Sequence, residues 1–236
     1  MEGSTYSKEV KNYELLAQYY DELLIGDSSY EPWLKYINAQ EYQTVLELAS
    51  GSAVLAKLLK KQGKDVVASD LSEKMMEVAL KNGFDGEYQI INMVDYKLER
   101  HFDLVLCILD SINYLEEDEL YSFFKAAYNH LNKGGRFIFD LHSLKRLNEF
   151  KDEYVEEGNL LDGTAYQWTI LSDTYEKTLL ENFVFYTADG IALERHQQKV
   201  FEPELLIKLM EEIGFKVTRV ADFIPDEKEL LIGEKL

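Results

Sequence analysis

Residues 45–59 read V-L-E-L-A-S-G-S-A-V-L-A-K-L-L, and the fold class turns on how the texture of that run changes. It begins as a short apolar segment, passes through the small residues Ala49, Ser50, Gly51, Ser52 and Ala53, and then repeats Val54, Leu55, Leu58 and Leu59 at helical spacing. That pattern predicts a buried strand, a tight turn and a helix. In an open α/β sheet, ligands sit at the carboxyl end of such a strand, because there the turn presents backbone N–H groups and a helix N-terminus. Gly51 lets ligand atoms approach the main chain.

Glu47 bears on which ligand that is. A dinucleotide directs its pyrophosphate at the helix N-terminus, so a carboxylate at the strand end repels it, whereas a cationic ligand is attracted. Of the three glycines in a dinucleotide fingerprint only Gly51 is present, with Ala49 and Ala53 near the other places. The next strand is expected over residues 65–69 and ends in Asp70-Leu71-Ser72. Ser72 can cap a helix that carries Met75 and Met76. Asp70 follows the glycine turn at the distance where a carboxylate can accept both hydroxyls of a ribose; the alternative is an acid that merely favours a helix N-terminus.

With those residues the chain resembles the class I S-adenosylmethionine-dependent methyltransferases, whose first motif is acid-x-Gly-x-Gly-x-Gly with an acid ending the second strand. Glu47, Ala49, Gly51 and Ala53 occupy the motif places and Asp70 the acid after it, with alanine for two of the three glycines. The resemblance implies an α/β fold, a Rossmann-like seven-stranded, mostly parallel sheet with an antiparallel β inset. It implies S-adenosyl-L-methionine as cofactor, held by Tyr13, Trp33, Glu47, Ala49, Gly51, Asp70, Leu71, Met75, Asn92, Met93 and Leu109. At the end of the third strand the family has an aspartate that accepts from the adenine amino group, followed by an apolar residue along the base. Asn92 and Met93 stand there, with Asp95 the competing assignment; an amide oxygen can accept the same bond.

Tyr19-Tyr20-Asp21 followed by Tyr30-x-x-Trp33 resembles the N-terminal lid of bacterial small-molecule methyltransferases, and residues 107–115, C-I-L-D-S-I-N-Y-L, resemble a motif of the same enzymes. Tyr20, Asp110, Asn113 and His142 are therefore the candidate catalytic residues, His142 because the strand over 136–141 brings it to the same cleft as Asp110. An aromatic lid suits a sulfonium, since a ring face attracts a cation. Asp110 and Asn113 can also serve as helix-capping residues, and His142 as a structural one.

The chain has 236 residues, 46% of them hydrophobic, enough for one α/β domain with an insertion. A net charge of -19 disfavours a nucleic-acid partner, since repulsion would act over most of the surface. The single cysteine, Cys107, sits in an apolar run and suits a reducing compartment. The N-terminus shows no apolar run behind a basic one, and no segment approaches bilayer-spanning length, so a cytoplasmic protein without a membrane partner is expected. No metal site is expected.

Outside the first motif, helical faces are expected over 13–24, stopped by residues 26–29, and from Pro32 onward. Residues 116–131 should form a helix stopped by Gly134-Gly135. Three strands over 166–170, 178–187 and 191–201 should make the antiparallel inset. Asp189-Gly190 as a two-residue hairpin turn would set His196 opposite Phe183. A helix over 204–213 and two final strands, 215–220 and 229–233, complete the sheet.

The expected organisation is a lid over 1–40, a cofactor domain from 41–150 and 202–236, and the inset over 151–201, walling a substrate pocket or joining two copies as a homodimer. Three activities stay open on the sequence: methyl transfer to a small-molecule amine or hydroxyl, cofactor binding without turnover, and a nicotinamide-dependent oxidoreductase. An amine needs only to arrive neutral, whereas a hydroxyl needs a base such as His142 or His196.

Overall fold

A computed structural model describes residues 8–9, 13–25 and 30–236. In chain order the elements are β1 (Lys8–Glu9), α1 (Leu16–Tyr20), α2 (Glu31–Ile37), β2 (Thr44–Glu47), α3 (Val54–Lys61), β3 (Asp65–Asp70), α4 (Glu73–Lys81), β4 (Glu87–Ile90) and β5 (Phe102–Cys107). There follow α5 (Leu120–His130), β6 (Leu131–His142), α6 (Lys145–Glu149), β7 (Tyr154–Asn159), β8 (Ala165–Asp173), β9 (Thr178–Thr187), β10 (Gly190–Lys199), α7 (Pro203–Ile213), β11 (Phe215–Ile224) and β12 (Lys228–Lys235).

Seven strands form one sheet in the order β11-β12-β6-β5-β2-β3-β4. β4, β3, β2, β5 and β6 pair in parallel, and β12 and β11 close the edge as an antiparallel hairpin. The central strands β2, β3 and β5 are buried over most of their length, which selects nearly continuous apolar runs. Side chains alternate between the faces. Leu46, Val67, Val105, Phe137 and Phe139 enter a core with α5 and α7, where Phe123 and Phe124 are fully buried. Val45, Val66, Leu104 and Ile138 enter a second core with α2 and α3. Each such phenylalanine contributes about 1.5–3 kcal/mol by leaving water.

The other sheet has the order β1-β10-β9-β8-β7, with β7 to β10 antiparallel and the two-residue β1 added in parallel to β10. The inset therefore has a strand beyond the three expected. β7 reads Y-V-E-E-G-N and is largely exposed, so it lacks the apolar alternation that marks a strand.

Three expectations need correction. Gly190 pairs with Thr187, so the hairpin turn is Ala188-Asp189, and His196 pairs with Glu181 while Glu194 takes the place opposite Phe183. Gly190 at φ +127° serves as the first residue of β10 rather than as part of the turn. A two-residue slip keeps the face, so the His196 ring still meets Phe183 edge-on, with centroids 5.6 Å apart. The helix expected over 13–24 is a five-residue α1 followed by a π-helical turn, Asp21–Ile25. There Asp21 leaves the helical path to accept from Ser52 Oγ and from Asn82 Nδ2, the latter at 3.0 Å. The stop placed at 26–29 lies outside the described residues. β6 starts at Leu131, running through the glycines read as a helix stop.

Candidate active site

The turn after β2 is wound by left-handed residues at alternate positions: Ala49, Gly51 and Ala53 have φ of 49°, 53° and 59°. Both alanines that stand where the motif has glycine thus keep a glycine conformation, at a cost of about 1–2 kcal/mol each. Neighbours over-determine that strain. Ser50 N donates to Ser69 O at 2.7 Å, Ser69 Oγ to Glu47 O at 2.9 Å, and Tyr88 Oη to Gly51 O at 2.7 Å. Gly51 N donates to Asp70 Oδ2 at 3.0 Å, while Asp70 Oδ1 accepts from Ser72 N at 2.9 Å. Ser72 Oγ caps α4 by accepting from Met75 N at 3.3 Å. Burial pushes the Asp70 carboxyl up, though those backbone donors partly offset it.

Above this turn lies a cavity of about 770 Å³, within the size range of small-molecule sites. Ala49 and Gly51 line it from the turn, Asp70 and Leu71 from the end of β3, and Met75 from α4. Asn92 and Met93 line it after β4 and Leu109 after β5, while Tyr13 and Tyr20 border it from the N-terminal segment. Asp95 is not among the lining residues, and Asn92 Oδ1 accepts from Val94 N at 3.0 Å, keeping a lone pair for a second donor. The leucine at position 71 is 68% exposed, an apolar surface that a planar base would cover. Asp70 uses one acceptor position on each oxygen for the backbone and keeps the others. These groups fit a ligand with a ribose, a hydrogen-bonding base and apolar faces.

Glu47, Trp33, Asp110, Asn113 and His142 are not among the lining residues. Period-two alternation puts Glu47 on the face of Val45, toward α2 and α3, where it is 3% exposed and Oε2 has no partner. Burial, with the charge of Asp70, pushes its carboxyl up to about 8 against a hydrogen bond from Ala56. It is therefore largely neutral at pH 7, and the charge expected to attract a cation is muted. Trp33 is 5% exposed; its Nε1 donates to Asp140 Oδ1 at 3.1 Å and its ring meets Phe223.

Asp140 is the hub that the sequence reading passed over. It also accepts from Leu109 N at 2.7 Å and Asp110 N at 3.1 Å, holding two consecutive left-handed residues, Leu109 and Asp110, at φ of 60° and 62°. Burial pushes its carboxyl up to about 6 despite Lys228 Nζ at 3.5 Å. Lys228, from β12, donates to Asp110. Burial opposes the Asp110 charge, yet His142 and Lys228 hold that carboxyl below its ordinary value.

His142 places Nε2 2.8 Å from Gln198 Oε1 and Nδ1 3.4 Å from Asp110 Oδ1. Burial lowers its imidazole in spite of Asp110. Both ring nitrogens thus face protein groups. Asn113 is fully buried, donating to Lys199 O at 2.5 Å and accepting from His142 N at 3.1 Å. It clamps the turn after β5 to the ends of β6 and β10, a structural task where a substrate contact was expected.

From this motif Leu109, Ser111, Tyr114 and Leu115 reach the cavity, and Tyr114 brings a phenol to it. Burial raises the phenols of Tyr13, Tyr20 and Tyr114 far enough that all three stay neutral. Among the described residues no helix is long and apolar enough to cross a membrane, and no group of three His, Cys, Asp or Glu side chains could hold a metal ion.

The family description "Methyltransferase domain" matches residues 45–135. A Bacillus subtilis protein named "Putative methyltransferase YqeM" is 28% identical over 228 residues, covering 91% of each chain. The crystal structure of an S-adenosylmethionine-dependent methyltransferase from Clostridium acetobutylicum superposes with a TM-score of 0.77 at 25% identity, covering 94% of this chain and 98% of that one. The sugar N-methyltransferase KedS8 from Streptoalloteichus shares the fold at a TM-score of 0.79 and 18% identity, over 100% of this chain and 97% of that one. With the matched domain spanning β2 through the start of β6, and the cavity at the carboxyl ends of those strands, this chain is a class I S-adenosylmethionine-dependent methyltransferase.

Proposed function

We propose that the enzyme methylates a small-molecule amine or hydroxyl that enters the cavity beneath the N-terminal segment. The observation that carries this reading is one cavity with two kinds of wall. Gly51, Asp70, Leu71 and Asn92 form a floor suited to a nucleoside, and the neutral phenols of Tyr13, Tyr20 and Tyr114 face it. When bound, the cofactor supplies an electrophilic sulfonium methyl group. The chain's own part is to place Asp70 on the ribose hydroxyls, Asn92 on the adenine amine, and Leu71 and Met93 along the base. Ala49, Met75 and Leu109 complete the walls. Three ring edges and faces exclude water from the reacting end and favour a cation there, so orientation and desolvation carry much of the rate.

Residues 1–40, in their described part, serve as the lid, residues 41–150 and 202–236 as the cofactor domain, and 151–201 as the outer wall of the substrate chamber. Support comes from packing: Leu16 and Tyr19 of α1 are buried with Leu160, Phe183 and Phe185, and Tyr19 stacks on Phe185 at 5.3 Å. The net charge of -19 favours a cationic or neutral small molecule over a polyanion.

The test is transfer of a labelled methyl group from S-adenosyl-L-methionine to a panel of primary amines, amino sugars and phenols. Methylation of a panel member supports the reading. Tight cofactor binding with no transfer across the panel would favour a binding protein instead.

A further inference from the structure

Tyr114 is a member of a buried hydrogen-bonded chain that ends at Glu194 on β10. Its Oη lies 2.8 Å from Tyr13 Oη and 3.0 Å from His196 Nδ1, and His196 Nε2 lies 2.8 Å from Glu194 Oε1. Tyr13 and Tyr114 line the cavity. Glu194 and His196 share one face of β10, with side chains 0% and 1% exposed.

The carboxylate fixes the direction of every proton in this chain. Burial opposes the Glu194 charge, but hydrogen bonds from His196 and from the backbone of Leu16 and Leu15 outweigh it and hold the carboxyl below its ordinary value. An ionised carboxylate can only accept, so His196 Nε2 carries the hydrogen. A neutral imidazole then has a bare Nδ1, which accepts from Tyr114 Oη. Having donated its one proton, Tyr114 accepts from Tyr13. What stays open toward the cavity is the remaining acceptor capacity of the two phenol oxygens, backed by an unprotonated ring nitrogen that already holds the Tyr114 hydrogen bond.

We infer that Tyr114, His196 and Glu194 form the proton-accepting relay of methyl transfer, with Tyr13 as a second entry to it. This rests on the reading that the cavity holds the cofactor and an amine or hydroxyl acceptor. As the acceptor's lone pair forms the new bond to carbon, the carbon–sulfur bond breaks and its electron pair stays on sulfur. The N–H or O–H proton of the acceptor passes to Tyr114 Oη, whose own proton moves to His196 Nδ1. The imidazolium so formed is paired with the Glu194 carboxylate in place. The proton returns by the same path once the product has left.

The same carboxylate also accepts from the backbone N–H of Tyr13, and from Leu15 and Leu16 at 3.0 Å each. Glu194 therefore holds the segment that carries Tyr13 against the inset, and the relay is complete only with that segment docked. The groups facing His196 are Tyr13 from the N-terminal segment, Tyr114 from the turn after β5, Glu194 from its own strand, and Phe183 and Glu181 from β9.

Two measurements on the full chain decide the matter. Nitrogen NMR of the His196 ring at pH 7 is expected to show the Nε2–H tautomer in the wild type, and Glu194→Gln to lose that preference. An Nδ1–H tautomer in the wild type would reverse every bond in the chain and overturn the relay, whether or not an acceptor is known. For an acceptor found by the labelled-methyl panel, His196→Gln and the isosteric Tyr114→Phe should each lower kcat by about 10²-fold, with cofactor affinity held within a few fold. Unchanged kcat in both variants would overturn the relay. A panel that the wild type does not methylate counts against the proposed function and leaves the tautomer to decide the relay.

Discussion

The carboxylate of Asp70 accepts the backbone N–H of Gly51 at 3.0 Å, so the acid that ends β3 closes the turn that ends β2. One residue thereby shapes the glycine turn and presents its remaining acceptor positions to the cavity. The turn and the acid are a single device.

That device makes substitutions in the turn unequal. A Cβ at Gly51 would meet Tyr20 Cε1 at 3.7 Å, an ordinary contact, but φ of +53° strains any side chain there. Gly51→Val should therefore destabilise by roughly 1–2 kcal/mol or more, and its branches would crowd Tyr20 and Met75. Ala49→Gly should instead stabilise by about 0.5–1 kcal/mol, because relief of left-handed strain exceeds the added chain entropy. Ala53→Gly relieves similar strain yet removes a fully buried methyl, worth about 0.8 kcal/mol, and should be near neutral. Urea denaturation of the three variants checks the order.

Glu47 makes stability depend on pH. Its carboxyl keeps a proton up to about pH 8 in the folded protein and releases it near the ordinary value of 4.5 in the unfolded chain. Between those values unfolding releases a proton, so this contribution is full below about 4.5 and is lost as pH rises through about 8. Glu47→Gln should gain on the wild type by about 1.4 kcal/mol per pH unit across that window. Denaturant midpoints at pH 5.5 and 8 give the comparison, and parallel behaviour of the two proteins would contradict the burial argument.

Asn113 should behave as a clamp. Its removal leaves Lys199 O and His142 N without a buried partner, at about 1–3 kcal/mol for each. Asn113→Ala is therefore expected to lose about 2–6 kcal/mol in urea denaturation, while folded protein binds S-adenosyl-L-methionine with unchanged affinity. Weak cofactor binding with unchanged stability would return Asn113 to the cavity.

The parallel strands, the turn at 49–53 and Asp70 were legible in the sequence because fully buried strands are short apolar runs and their ends are local. Asn92 could be placed for the same reason. What stayed hidden depends on partners remote in the chain. Glu194 meets residues 13–16, Lys228 meets Asp110, and Trp33 meets Asp140, and no local pattern announces such pairs. The hairpin turn lies one residue earlier than expected, and its ladder slips by two, because Asp189-Gly190 is a strong turn signal whereas the ladder begins at Gly190. Glu47 was misread in charge, since a strand-end acid looks accessible until alternation assigns it to a buried face. His142 and Asn113 lie at the right strand ends, but their polar atoms face protein.

The most direct test of the central claim is calorimetric titration of the wild type and Asp70→Ala with S-adenosyl-L-methionine and with NAD. The wild type should bind the sulfonium cofactor at one site and give no heat with NAD. Asp70→Ala should weaken cofactor binding by about 1.5–3 kcal/mol, the scale of a hydrogen bond to a charged group, while remaining folded. Equal affinity in the two proteins, or binding of NAD in preference, would contradict the placement of the cofactor on the Gly51–Asp70 floor.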